Sequence, residues 1–160
     1  MTQKKQFQDM DKAKRFGMEA YYAELNKKIE IKEKGVTNML KITRCDINTE
    51  WAHSGIIEAG GFVYTSYCVG NLGGTIEEQI NGAFNHLEER LNSVGLTLES
   101  VVKFDALFKN IWDIPTMEKV IKERFNGKYP ARKSIQTAFA HEDLLFQVDA
   151  VAYREGEHDA

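Results

Sequence analysis

The segment TIEEQINGAFNHLEERLNSVG, residues 75 to 95, carries both a start and a stop signal for one helix. Thr75 and Glu78 form a capping box, in which the hydroxyl accepts from the third helical amide while the carboxylate reaches back to the cap. Ile76, Ile80, Ala83, Phe84, Leu87, Leu91 and Val94 recur at helical spacing and share one face. Gly95 is placed to end the helix in a left-handed cap. Such a helix has one apolar face to bury, and the rest of the chain must supply the surface it packs against.

Strands supply it. MLKITRC, residues 39 to 45, alternates well enough for a short strand, and DINTEWAHS, residues 46 to 54, has the polar composition of a loop holding Trp51 and His53. GIIEAGGFVYTSYCVGN follows as two apolar runs split by Gly60-Gly61, a dipeptide that allows the positive φ values of a tight hairpin. Gly70-Asn71-Leu72-Gly73-Gly74 reads as a flexible connection into the capped helix, with no phosphate-binding pattern around it. LESVVKFDALF, residues 98 to 108, predicts a strand. Asp113 and Pro115 open a second helix bearing Met117, Val120, Ile121 and Phe125, which Gly127 closes. Two further strands are separated by the turn-like His141-Glu142-Asp143. The order predicts an α+β sandwich, with two helices on one face of a mixed sheet.

The 160 residues suffice for one core-bearing domain, which we take as residues 35 to 160, preceded by a helical extension over 1 to 34. In that extension Met18, Tyr22, Leu25 and Ile29 fall on one helical stripe. It holds nine Lys or Arg against six Asp or Glu, which leaves twelve of the 21 basic and eighteen of the 24 acidic residues for the rest of the chain. An acidic core and a net charge of −3 argue against a general nucleic-acid binder. No apolar run is long enough to span a membrane, and the N-terminus lacks the apolar block of a secretory signal, so a cytoplasmic protein is expected. Cys45 and Cys68 have neither a CxxC nor a zinc spacing, which points to reduced, packing thiols.

Few residues stand out for chemistry. The four histidines form no metal pair, His86 falls on the polar flank of the capped helix, and no nucleophile elbow or Ser/His/Asp spacing is present; no metal or cofactor is expected. Arg132, in YPARKSIQT, differs because Pro130 restricts the backbone before it and a half-buried strand follows. A guanidinium there either pairs with one of the chain's carboxylates or clamps a ligand's carboxylate or phosphate.

GGFVYTS, the capped helix with EEQ near its start, LNSVGLTLESVVKFDALFKNI, and YPARKSIQT followed by FQVDAVAY together resemble the reactive intermediate deaminase family, Rid, also called YjgF or endoribonuclease L-PSP. The likeness runs over residues 39 to 154, and the Pro-Ala-Arg block is its most specific part. It implies a chorismate-mutase-like fold assembled as a homotrimer, with a pocket in each cleft between subunits. It also implies that Arg132 grips the carboxylate of a 2-imino or 2-enamino acid while water releases a 2-keto acid and ammonia. Ser66 and Ser134 match pocket positions of the family. Gln147 stands where the deaminases have a glutamate that positions water, Glu118 where they have an asparagine, and His53 near a pocket-closing tyrosine. Glutamine can hydrogen-bond a water but not take its proton, and Glu118 adds negative charge near an anion site.

Three functions follow as expectations. The first is an imine or enamine deaminase, with Arg132, Gln147 and Glu118 in the reaction and Ser66, Ser134 and His53 lining the pocket. The second is a trimer that binds small carboxylate ligands, keto acids among them, with little turnover. The third, the ribonuclease or translation inhibitor of the family's older name, fits the acidic core least.

Overall fold

A computed structural model of the chain describes residues 41 to 156. The expected helix over residues 1 to 34 lies outside the described residues. Six strands and two helices make up the described part: β1 (Ile42–Asn48), β2 (His53–Ala59), β3 (Phe62–Thr65), α1 (Ile76–Ser93), β4 (Val101–Phe108), α2 (Ile114–Phe125), β5 (Ala131–Gln136) and β6 (Phe146–Tyr153). The strands form one sheet in the order β1-β2-β3-β6-β4-β5. β4 and β5 run parallel, joined through α2, and the other neighbours are antiparallel. A mixed sheet with two helices is the predicted architecture.

The local signals act as the sequence predicts. The Thr75 hydroxyl accepts from the Glu78 amide, and the Glu78 carboxylate accepts from the Thr75 amide at 2.7 Å. Gly60 and Gly61 turn the β2–β3 hairpin at φ of 59° and 83°, values that side chains with a Cβ resist.

Alternation assigns the two faces of the sheet. Phe104, Ala106 and Phe108 of β4 and Phe146, Val148, Ala150 and Ala152 of β6 are buried, in one core with Ile80, Phe84, Leu87 and Leu91 of α1 and Met117, Val120 and Phe125 of α2. Phe84 sits at its centre, with ring centroids 5.9 Å from both Phe104 and Phe125 in edge-to-face geometry. The opposite face has no helix among the described residues. It leaves Phe62, Tyr64, Ile135 and Tyr153 exposed.

Four local expectations are corrected. β1 continues through Asn48 and His53 opens β2, so the loop shrinks to residues 49 to 52 and His53 lies on a strand. Residues 98 to 100 form a 3-10 turn, with the Val101 amide donating to the Leu98 carbonyl, and β4 begins only at Val101. α2 ends on Asn126, itself left-handed at φ 47°, before Gly127. β5 is mostly exposed rather than half-buried, because among the described residues it is the sheet's edge and pairs only with β4.

Candidate functional site

Tyr129 and Pro130 lead from the end of α2 into β5, which delivers Arg132 opposite Phe104 in the β4–β5 register. Paired residues share a face, so Arg132 lies on the helix side of the sheet. There its guanidinium donates to the Glu118 carboxylate on α2. Hydrogen bonding from Arg132 first, then its charge, and more weakly the charge of Lys122, hold the Glu118 carboxyl below its usual range. Both partners keep more than a third of their side-chain surface in solvent, so the pair can open to an incoming ligand.

The pair borders a cleft of about 320 Å³ lined by Phe104, Ile121, Lys122, Tyr129 and Pro130. Its walls are apolar and aromatic, and its charged groups are two cations and one anion. Two residues beyond Arg132, and so on the same face, Ser134 lies opposite Ala106. Its Oγ is buried and finds no hydrogen-bond partner among the described residues. Ser134 shares the face of Arg132 but is not among the residues lining the cleft.

Gln147 is placed elsewhere. It pairs with Leu107, between the core-facing Phe146 and Val148, and so lies on the face away from the helices. Within one chain the sheet separates it from Arg132 and Glu118. Ser66 follows the buried Thr65, whose hydroxyl accepts from the Ala150 amide at 3.0 Å, and strand alternation turns Ser66 toward the face of Gln147. The His53 ring lies 5.7 Å from that of Tyr67, beside the same segment. The expected site residues thus form two groups: Arg132, Glu118 and Ser134 on one face, and Gln147 and Ser66 on the other.

The open face carries its own charges. Asp105 and Asp149 are directly paired across β4 and β6. Lys103 at 2.6 Å and Lys133 at 3.2 Å both hold Asp105, whose carboxyl is lowered first by the Lys103 hydrogen bond. Among the described residues Asp149 has no such partner, and burial followed by the charge of Asp105 raises its carboxyl.

Two residues that sequence reasoning passed over support these groups. Arg90 of α1, largely buried, donates to the carbonyls of Ser66 at 3.1 Å and Tyr67 at 2.7 Å and pairs with Asp46 at 3.2 Å. Asp46 adopts φ 51° and lays its carboxylate over Gly55, where a Cβ would approach the Asp46 Oδ2 to 1.9 Å. Gln79, fully buried, donates to the carbonyls of Gly74 and Asp143 and accepts from the Leu145 amide, which fixes the approach to β6. The signal for both was a polar residue on the apolar face of α1.

The cysteines are unpaired, and burial pushes the Cys68 thiol up to about 11, which keeps it protonated and inert. His86, expected in solvent, is half-buried with its ring nitrogen 3.1 Å from the Val69 carbonyl. Among the described residues no three His, Cys, Asp or Glu side chains converge as a metal set, and no helix is long and apolar enough to cross a membrane.

Comparison with known proteins agrees with this architecture. A RutC family protein from Pyrococcus abyssi is 30% identical over 51% of this chain and 65% of its own length. A human 2-iminobutanoate/2-iminopropanoate deaminase is 28% identical over 51% of this chain and 59% of its own. The chain therefore spans about 65% or less of these relatives. A Streptococcus pyogenes structure described as a member of the yjgF family is 59% identical, with a TM-score of 0.71 over 74% of this chain and 100% of that one. A Neisseria meningitidis YjgF structure, 18% identical, shares the fold at a TM-score of 0.68. The family model for Endoribonuclease L-PSP matches residues 43–154, from β1 to the end of β6, and the chain belongs to that family, also called YjgF.

Proposed function

We propose that the Arg132 cleft binds a small 2-imino or 2-enamino acid by its carboxylate and that water hydrolyses the C=N bond to a 2-keto acid and ammonia. The observation that carries this reading is a strand-held guanidinium at the mouth of a cleft with apolar and aromatic walls. The relatives named 2-iminobutanoate/2-iminopropanoate deaminase support the substrate class.

The chemistry asks little of the protein. Arg132 fixes the acid through charge-assisted hydrogen bonds and so orients the adjacent carbon. Water oxygen adds to that carbon as its C=N bond opens, the C–N bond of the resulting carbinolamine breaks, and the nitrogen leaves as ammonia. Gln147 orients the water by hydrogen bonding and Ser66 lines the pocket, but both lie across the sheet from Arg132. They enter the pocket from a neighbouring copy in a homotrimer, with the exposed aromatics of the open face and the edge strand β5 buried between copies. We place the reaction in the cytoplasm, where Cys45 and Cys68 stay reduced.

The Glu118–Arg132 pair favours a second reading, a carboxylate-binding trimer with little turnover, because the clamp is already engaged and Gln147 cannot act as a base. Generating 2-iminobutyrate in situ and following 2-oxobutyrate release separates the two. Wild type should exceed the uncatalysed rate, and Arg132→Ala should lower kcat/KM by about 100-fold, the worth of a hydrogen-bonded charge. Release at the uncatalysed rate, with saturable keto-acid binding that Arg132→Ala abolishes, would establish the binding reading instead.

A further inference from the structure

The Glu118 carboxylate is the nearest competitor for the group that would hold a ligand. It occupies the Arg132 guanidinium from α2, and the same cleft receives Lys122 from the next turn of that helix. With Arg132 and Lys122 against Glu118, the cleft retains one excess positive charge and still admits an acid. An acid seated on Arg132 nevertheless lies against the Glu118 carboxylate. That contact is repulsive unless the ligand places a positive group between the two anions.

We propose that Glu118 makes the cleft select acids with a protonated nitrogen on the carbon next to the carboxylate, and reject the 2-keto acids that carry an oxygen there. This deepens the reading above and rests on Arg132 taking the ligand's carboxylate. A nitrogen at that carbon stands within hydrogen-bond reach of a group beside the carboxylate, so Arg132 holds one end and Glu118 the other. The keto oxygen at the same place is an acceptor without a proton, and it faces a carboxylate that cannot donate to it. Glu118 stays ionised throughout the neutral range because Arg132 holds its carboxyl low. Hydrolysis therefore removes the group that Glu118 binds. Once the nitrogen has left as ammonia, Glu118 returns to Arg132 and displaces the keto acid.

The test uses two stable probes of one carbon skeleton, L-2-aminobutyrate and 2-oxobutyrate, titrated calorimetrically into the full-length protein. Wild type is expected to bind the amino acid the tighter. In Glu118→Gln and Glu118→Asn, at this half-buried position, the amino acid should weaken and the keto acid tighten by about fivefold each, the scale of one partly exposed ion pair. Arg132→Ala should lose both. An unchanged ratio of the two affinities in both Glu118 variants, with Arg132→Ala still abolishing binding, overturns the role of Glu118 and leaves the clamp standing. Binding that is absent from wild type, or indifferent to Arg132→Ala, overturns the reading on which the inference rests.

Discussion

Replacing Gln79 by Leu tests whether one buried amide positions the approach to β6. The substitution keeps an apolar volume on the core face of α1 but removes donors to Gly74 and Asp143 at 3.2 and 2.8 Å and the acceptor for the Leu145 amide at 2.9 Å. Each orphaned backbone group costs about 1 to 3 kcal/mol when water is kept out. These groups are only part-buried, so the low end applies, and three of them give about 3 kcal/mol. At roughly 2 to 4 °C per kcal/mol for a chain of this size, Tm should fall by about 10 °C. Urea unfolding followed by circular dichroism, with wild type and variant at the same protein concentration and the comparison repeated at a second concentration, separates the loss from any change in assembly. A loss below about 0.5 kcal/mol would mean that water or rearranged backbone satisfies these groups, and that Gln79 does not hold the 141 to 145 loop.

Asp149 is paired with Asp105 and its carboxyl is raised, so the folded state binds its proton more tightly than the unfolded chain. Its contribution is present below the unfolded value and is lost as pH rises through the folded one. Asp149→Asn should therefore stabilise the protein at pH 7 by under about 1 kcal/mol after solvent screening, with the gain fading toward pH 3 in thermal melts across that range. Equal gains at both pH values would show that the charge is not the cause. Arg90→Met keeps the stem and removes the donors to Ser66 and Tyr67, which should cost about 2 kcal/mol and speed amide exchange over residues 66 to 68. Unchanged exchange there would show that Arg90 does not hold the Ser66 segment.

How legible this was in the sequence depended on whether the deciding contacts were local. The Thr75–Glu78 box and the Gly60-Gly61 turn lie within four residues of what they control, and both appear as expected. The face of Gln147 was also readable, because FQVDAVAY alternates and places Gln147 opposite the apolar set. The face of Arg132 was not. In ARKSIQ the only aliphatic side chain beyond Ala131 is Ile135, which suggests a core face of the wrong parity, whereas the β4 register puts Ile135 on the open face and Arg132 under α2. That register is a long-range pairing, as is the edge position that exposes β5. Reading Arg132, Glu118 and Gln147 as one constellation required the face of each strand, which no single segment contains.

The proposed reaction requires a pocket made by two chains, with Arg132 from one copy and Gln147 from the next. Arg132→Ala and Gln147→Ala proteins, each assayed alone for 2-oxobutyrate release and then unfolded together and refolded as an equal mixture, test it directly. Random assembly into closed rings gives about a quarter of the interfaces both native side chains, so the mixture should recover about a quarter of the wild-type rate. A mixture no faster than the average of its two parents would contradict a shared pocket.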